Sequence, residues 1–270
     1  MKVDVAVIPA AGRGTRMRPA TRVVPKALLT VVDRPAIQYA VEEAARAGAT
    51  EAILVVDLDV GHLIHQHFVS EGRLPGLEDI RVRPVVQEEP LGLGHAVFEA
   101  QEMVAGRPFF CILADDIVPP GKDILPKLAA AAGDSYDSVM YLRPVPPEVI
   151  PTKGIAIPSS EVVDNVLSLS GSVEKPSLED APSDLALIGR YLFTSEIFSI
   201  LATLEPGHGG EIQLTDAIDE LGRRGRLKGY IDEVDLLDIG NPVGLLHASM
   251  VLGLDRFGSD FEKRIRALLE

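Results

Sequence analysis

Val3-Asp4-Val5-Ala6-Val7-Ile8-Pro9 runs directly into Ala10-Ala11-Gly12-Arg13-Gly14-Thr15-Arg16-Met17, an apolar strand emptying into a turn of small residues. Glycine lets the main chain approach a ligand closely, so such a turn can aim several backbone N–H groups at phosphate oxygens. Five cations crowd into residues 13–26, namely Arg13, Arg16, Arg18, Arg22 and Lys26, with no acid among them. A strand, a glycine turn and an uncompensated positive cluster together predict a nucleoside triphosphate cradle at the carboxyl end of a buried strand.

The cluster is local, because the chain as a whole is acidic: 26 Lys plus Arg stand against 40 Asp plus Glu, a formal net charge of -14. A protein of that sign repels extended polyanions, which argues against nucleic acid and anionic membrane as partners and leaves a small phosphorylated ligand. With 270 residues the chain can bury a large core. Its single cysteine, Cys111, lies inside Phe109-Phe110-Cys111-Ile112-Leu113, where a buried strand residue is expected and no disulfide is possible. Lys2 and Asp4 leave no room for a signal peptide, and no apolar stretch is long enough to span a bilayer, so a cytoplasmic location is expected.

Working outward, strand-like runs fall at residues 3–9, 52–56, 80–86, 109–113 and 138–142. Helical patterns lie between them at 35–47, 61–68, 94–104 and 125–132; in the first, Ile37, Val41 and Ala44 recur at helical spacing. Regular alternation of strand and helix predicts an α/β fold with a mostly parallel sheet covered on both faces and ligands at the carboxyl ends of its strands. After Pro144 short strands follow without long helices, at 154–157, 166–173 and 185–193, which reads as a small sheet extension carrying a substrate pocket. Helices return at 195–204, 211–223 and from 242 onward. No linker separates independent units, so one domain is expected over 1–270: a nucleotide-binding half at 1–145, a second part at 146–240, and C-terminal helices at 241–270.

The glycine turn is neither of two better-known phosphate loops. A dinucleotide fingerprint requires a third glycine where Met17 stands, and no G-x-x-x-x-G-K-[ST] occurs. Read as G-x-G-T-R-x-x-P-x-T-x-x-x-P-K, however, Gly12 to Lys26 resemble at every fixed position the signature of the sugar-1-phosphate nucleotidyltransferases, and within them the bacterial UTP–glucose-1-phosphate uridylyltransferases. Further motifs continue the resemblance in the family's order: Gln87 with Gly92-Leu93-Gly94-His95-Ala96, Leu113-Ala114-Asp115-Asp116, Val173-Glu174-Lys175-Pro176, Gly189-Arg190-Tyr191, a segment from Glu211 to Ile218, and Asp238-Ile239-Gly240-Asn241.

The resemblance implies a Rossmann-like nucleotidyltransferase fold, with a mixed, mostly parallel central sheet flanked by helices and a small sugar-binding β extension. The implied reaction is attack by a sugar phosphate oxygen on the α-phosphorus of a triphosphate, with pyrophosphate leaving in line. The substrates expected are UTP, or dTTP, and a sugar 1-phosphate. The family's roles transfer residue by residue: Arg16, Lys26 and Asp115 to catalysis; Ala10, Ala11, Gly12, Gly14, Thr15, Gln87 and Gly92 to nucleotide binding; Gly154, Glu174, Lys175 and Gly189 to the sugar phosphate. Asp115 and Asp238, each following an apolar strand, would hold Mg²⁺, an ion that takes one or two carboxylates and completes its shell with phosphate oxygens and water. A homo-oligomer, dimer or tetramer, is implied as well.

Other features have plainer readings. Asp116 is expected in a turn or helix cap, Asp57-Leu58-Asp59 in a loop, and His62, His65 and His67 on an exposed helical face, since no further ligand follows at a closed-site spacing. Taken without the family's order, Gln87 would be a solvent-facing strand terminus. Three positions depart from the family's pattern: Lys153-Gly154 where Tyr-Gly is usual, Ala27 where an acid commonly follows the signature lysine, and a short connection from Phe68 to the third strand. These leave a different hexose phosphate, or thymidine for uridine, as alternatives.

Overall fold

The computed structural model describes residues 1–12, 14–70, 74–135 and 137–269; at 59, 70, 208 and 269 it describes the backbone alone. Arg13 therefore lies outside the described residues. The first half runs β1 (Val5–Pro9), β2 (Thr30–Val31), β3 (Arg34–Pro35), α1 (Ala36–Arg46), β4 (Glu51–Val56), α2 (Leu58–His65), β5 (Arg81–Val86), α3 (Leu93–Phe98), α4 (Gln101–Val104), β6 (Phe109–Ile112), β7 (Asp116–Ile117), α5 (Leu125–Ala132) and β8 (Ser138–Pro144). The second runs β9 (Gly154–Pro158), β10 (Val166–Glu174), β11 (Leu185–Phe193), α6 (Glu196–Leu201), α7 (Leu214–Arg223), β12 (Leu227–Ile231), β13 (Leu237–Asp238) and α8 (Pro242–Leu269), which kinks at Gly258.

Among the described residues nine strands form one mixed sheet in the order β5-β4-β1-β6-β11-β8-β12-β10-β9. β5, β4, β1 and β6 run parallel, and β1 and β4 are buried almost throughout, which explains why they read as continuous apolar runs rather than alternating ones. Two apolar clusters cover the faces. One packs α1 and α5 through Ile37, Val41, Leu125 and Leu128. The other packs α3, α6 and α7 through Val97, Ile197, Leu214 and Leu221.

The fold class expected from the sequence holds, with several local differences. β11 stands antiparallel between β6 and β8, so a strand from after Pro144 sits in the middle of the sheet, and β9 and β10 extend one edge. β12 was not expected: Leu227-Lys228-Gly229-Tyr230-Ile231 has too weak an apolar pattern, yet it pairs parallel with β8 over its whole length. The helix expected at 94–104 is broken at Glu99–Ala100 into α3 and α4. Asp57 is not in a loop but caps α2, its Oδ1 accepting from the Val60 N–H at 3.1 Å. Among the described residues, no helix is long and apolar enough to cross a membrane.

Candidate active site

The parallel strands end around a cleft of about 680 Å³. Its walls include nine of the residues singled out from the sequence: Ala10, Ala11, Gly12, Gly14, Thr15, Lys26, Gln87, Gly92 and Asp115. After β1 the chain turns through Gly14, whose φ of +56° lies in the left-handed region; a Cβ there would stand 2.9 Å from that of Lys26. This close packing, with the Thr21 hydroxyl donating to the Gly14 carbonyl at 2.7 Å, folds the basic segment back over the strand end. Ala27 is buried behind it.

Lys26 Nζ lies 2.7 Å from Asp115 Oδ2, so the basic side and the acidic side of the cleft are already in contact. Burial alone would raise the Asp115 carboxyl, but the Lys26 charge and hydrogen bond outweigh it and hold Asp115 below the usual carboxylate range. Asp238 is delivered to the same place: β13 pairs with β7, Asp238 opposite Asp116, and the Ile239 N–H donates to the Asp115 carbonyl at 2.8 Å. The Asp238 carboxylate accepts from the Gly240 N–H at 2.5 Å and from Asn241 Nδ2 at 3.0 Å, next to the start of α8. A Cβ at Gly240 would lie 2.7 Å from Asp238 Oδ1, 3.1 Å from an Arg16 Nη and 3.3 Å from Lys26 Nζ, so those three side chains converge on one point.

Asp116 is not a helix cap. It forms the two-residue bridge with β13, and its carboxyl is pushed up to about 6 by burial and by the neighbouring Asp115 charge, with Lys153 and Arg190 opposing. The sequence reading gave Arg190 no role, although it is the most tightly held side chain of the region. Buried at 1% exposure, it faces Glu43 of α1 with bonds of 2.8–3.0 Å, and also donates to the carbonyls of Leu113 (3.0 Å), Gly189 (3.2 Å) and Asp116 (2.6 Å). Burial would lower its pKa, but the Glu43 charge and hydrogen bonds raise it. A signal existed in the sequence: Glu43 is an acid on the apolar stripe of α1, and Arg190 is the one charge within the apolar run Leu185–Phe193.

The residues expected from the sequence to meet the sugar phosphate, Gly189 apart, form a second group on β9 and β10, packed against α7. Gly154 is in register with Glu174, and the Lys153 carbonyl accepts from the Lys175 N–H at 3.0 Å. Glu174 holds Lys175 Nζ at 2.8 Å and accepts from the Thr215 hydroxyl at 2.7 Å; Thr215 was another residue without an assigned role. Gly189 stands with the acidic group instead: its carbonyl accepts from the Leu113 N–H at 2.8 Å, and a Cβ there would lie 3.2 Å from Asp116 Oδ2. Lys153 acts on both Asp115 and Asp116 through its charge. Gln87 is buried, not a solvent-facing terminus, and its amide is bonded to Gly92 and His95. His62 and His65 are exposed, whereas His67 meets Gln38 at 2.9 Å. Among the described residues, no group of three or more acid, His or Cys side chains is gathered for a metal. Asp115 and Asp238 form a pair of hard oxygen donors, the set that suits Mg²⁺ when phosphate oxygens and water complete its shell.

The model of the nucleotidyl transferase family matches residues 5–253. The chain belongs to that family. This nucleotidyltransferase is 40% identical over 269 residues to the UTP–glucose-1-phosphate uridylyltransferase of Streptococcus pneumoniae, covering 92% of the chain and 90% of the relative. Its fold superposes with a TM-score of 0.85 on a UDP-glucose pyrophosphorylase crystallised with UDP-glucose, at 34% identity over 92% of this chain and 97% of that one. It is similar also to a UTP-bound enzyme of the same kind from Acinetobacter baumannii, with a TM-score of 0.83 and 30% identity over 100% and 99% of the two chains.

Proposed function

We propose that this nucleotidyltransferase transfers a uridylyl group from UTP to glucose 1-phosphate, giving UDP-glucose and pyrophosphate. The observation that carries the reading is the cleft itself. The glycine turn, Gln87 and the Lys26–Asp115 pair share its walls, and Lys153, paired through its backbone with the Glu174–Lys175–Thr215 group, acts on Asp115 and Asp116 through its charge. An oxygen of the sugar phosphate forms a bond to the α-phosphorus while the bond from that phosphorus to the bridging oxygen breaks and its electron pair departs with pyrophosphate. The nucleophile is already an anion, so no base is needed. What the protein must supply is charge neutralisation and alignment.

The backbone of Ala10, Ala11, Gly12, Gly14 and Thr15 cradles the triphosphate, while Arg16 and Lys26 neutralise the β- and γ-phosphates and the departing charge. Gln87 and Gly92 receive the base. Lys175 binds the sugar's phosphate, Glu174, with Gly154 in register beside it, accepts from sugar hydroxyls, and Gly189 keeps space open next to Asp116. Asp115 and Asp238 would hold a divalent cation, Mg²⁺, which would supply Lewis-acid withdrawal of charge from the reacting phosphate. Lys26 must exchange Asp115 for phosphate as substrate enters. Lys153 favours a second reading, in which a different hexose phosphate is the acceptor, because a cation there changes the wall beside Glu174.

One measurement separates the readings: pyrophosphate release with UTP, dTTP, CTP and ATP against a panel of sugar 1-phosphates in Mg²⁺. UTP with glucose 1-phosphate should give the highest kcat/KM. Turnover confined to another sugar would replace the acceptor, and none with any pair would defeat the enzymatic reading.

A further inference from the structure

Gln87 can bind a ligand in only one polarity, and the reason lies in two residues that never touch the cleft's charged groups. Its amide nitrogen stands 3.2 Å from the Gly92 carbonyl and 2.9 Å from His95 Nδ1. A carbonyl can only accept, so the group facing Gly92 must be the NH₂, which fixes which end of the amide is which. The second amide hydrogen points at His95 Nδ1, which must therefore be an unprotonated acceptor. The imidazole proton is then on Nε2, which lies 3.1 Å from Glu99 Oε1 one turn further along the chain. Each hydrogen of the Gln87 amide thus has one acceptor, and Glu99 lies within reach of the far side of the ring.

The anchor of this line is rigid. Gly92 has a φ of +108°, and a Cβ there would come within 2.8 Å of both the Glu211 Cβ and the Ile212 carbonyl, so its carbonyl cannot be reoriented by a larger residue or a relaxed turn. Backbone bonds from the Ile212 N–H to Leu91 O (2.7 Å) and from the Gly94 N–H to Ile212 O (2.9 Å) clamp both sides. The Gln87 backbone is held too, its N–H donating to Val56 O at 2.8 Å. Both amide hydrogens are thus consumed inside the protein, and what Gln87 presents to the cleft it lines is a carbonyl oxygen.

We propose that His95 and Glu99 are positioning residues that lock Gln87 as a pure acceptor, so that the site selects a pyrimidine with an imide N–H and rejects cytosine. Uracil and thymine offer a donor at N3 between two carbonyls. Cytosine offers a lone pair at N3, which would face the Gln87 oxygen directly and leave two acceptors opposed. The inference rests on the reading that Gln87 receives the base, and it deepens that reading by naming what sets the choice.

The test is equilibrium binding of UTP, dTTP and CTP in the presence of Mg²⁺ to the full chain and its variants, each checked by thermal melting. The unaltered protein should bind UTP and dTTP at least about tenfold more tightly than CTP. His95→Leu should weaken UTP by about tenfold while barely changing CTP, because only the bond from an oriented amide is lost. His95→Gln can accept from Gln87 and donate to Glu99, and should restore the preference. Glu99→Leu, at a half-open helix end, should fall between and serves if His95→Leu melts early. In turnover, the loss should appear in KM for UTP and not in KM for the sugar phosphate. Equal affinity for UTP and CTP in the unaltered protein, or equal weakening of both by His95→Leu and Glu99→Leu, would overturn the proposal. A protein that prefers UTP in binding yet turns over no sugar phosphate would defeat the proposed reaction and leave this inference standing.

Discussion

Two cavities of nearly equal size lie at opposite ends of the same parallel strands. One, of about 680 Å³, opens at the carboxyl ends of β1, β5 and β6; the other, of about 590 Å³, lies at the amino ends of β4 and β5 beside Thr50, Glu51, Ile80 and Arg81. Volume does not distinguish them, but the state of their charged groups does. At the amino end Glu51 is held by Arg83 (2.8 Å) and Arg107 (2.7 Å), and Arg107 also reaches Asp4 at 3.6 Å, so the acid at this strand end already has its partners on a neighbouring strand and loop. At the carboxyl end Arg16, Lys26 and Asp238 converge on Gly240, Gln87 lines the cleft, and the Lys26–Asp115 pair bridges the two walls. A fold stabilises itself with the first kind of arrangement. A site keeps the second, in which charges have capacity left for a ligand.

The comparison breaks most visibly at Asp115. Asp115→Ala should lower pyrophosphate release by about a thousandfold or more while the melting temperature stays close to that of the parent, since its carboxylate's partner is a lysine that can turn to solvent. Unchanged turnover would remove Asp115 from the site. Next comes the scaffold beneath it. Arg190→Met should cost about 3–5 kcal/mol in urea unfolding by stranding Glu43, and the double variant Arg190→Met with Glu43→Met should recover much of that stability. Turnover in the double variant should remain low, because the Leu113 and Asp116 carbonyls would still lack the guanidinium that fixes the acidic turn; full activity would make the pair purely structural.

The smallest effect belongs to the amino end. Glu51→Gln should cost about 1–3 kcal/mol at neutral pH without altering kcat/KM. Burial raises the Glu51 carboxyl, but hydrogen bonds from Arg83 and Arg107 and their charges hold it below the usual glutamate range. The folded state therefore favours the ionised form, and its contribution is complete above the unfolded value and disappears as the pH falls through the folded one. The gap between parent and variant in unfolding free energy should close in acid, below the ordinary glutamate range. A gap that persisted there would mean that the side chain stabilises by packing rather than by charge.

What the sequence made legible was what depends on near neighbours. The strand-to-turn step at Pro9–Gly14 is written in consecutive residues, and so are the apolar runs whose ends carry Asp115 and Asp238. Pairings across long separations were not legible. Glu43 and Arg190 lie 147 residues apart, and each alone looks like a charge misplaced in an apolar segment. β12 draws its order from lying alongside β8, not from its own weak pattern. Asp116 reads as a turn because its strand is two residues long and exists only through its bridge to Asp238. The polarity of Gln87 was similarly hidden: the motif contains Gln87, Gly92 and His95, but which amide hydrogen goes where depends on how the loop is clamped against Ile212.

The position of β11 has a consequence for how the chain acquires its shape during synthesis. β6 and β8 do not pair with each other; β11 fills the gap, and the other neighbour of β8 is β12. When the first 145 residues have left the ribosome, β8 has no neighbour on either side and β6 has an open edge. The sheet can close only after residue 193 has emerged, which gives its central pairings long sequence separations and a slow approach. Until then a row of unpaired amides lies exposed along strands that are otherwise apolar, and aggregation is most favoured in that interval. The acidic wall of the cleft, held through Arg190 on that same strand, is therefore among the last parts of the molecule to take form.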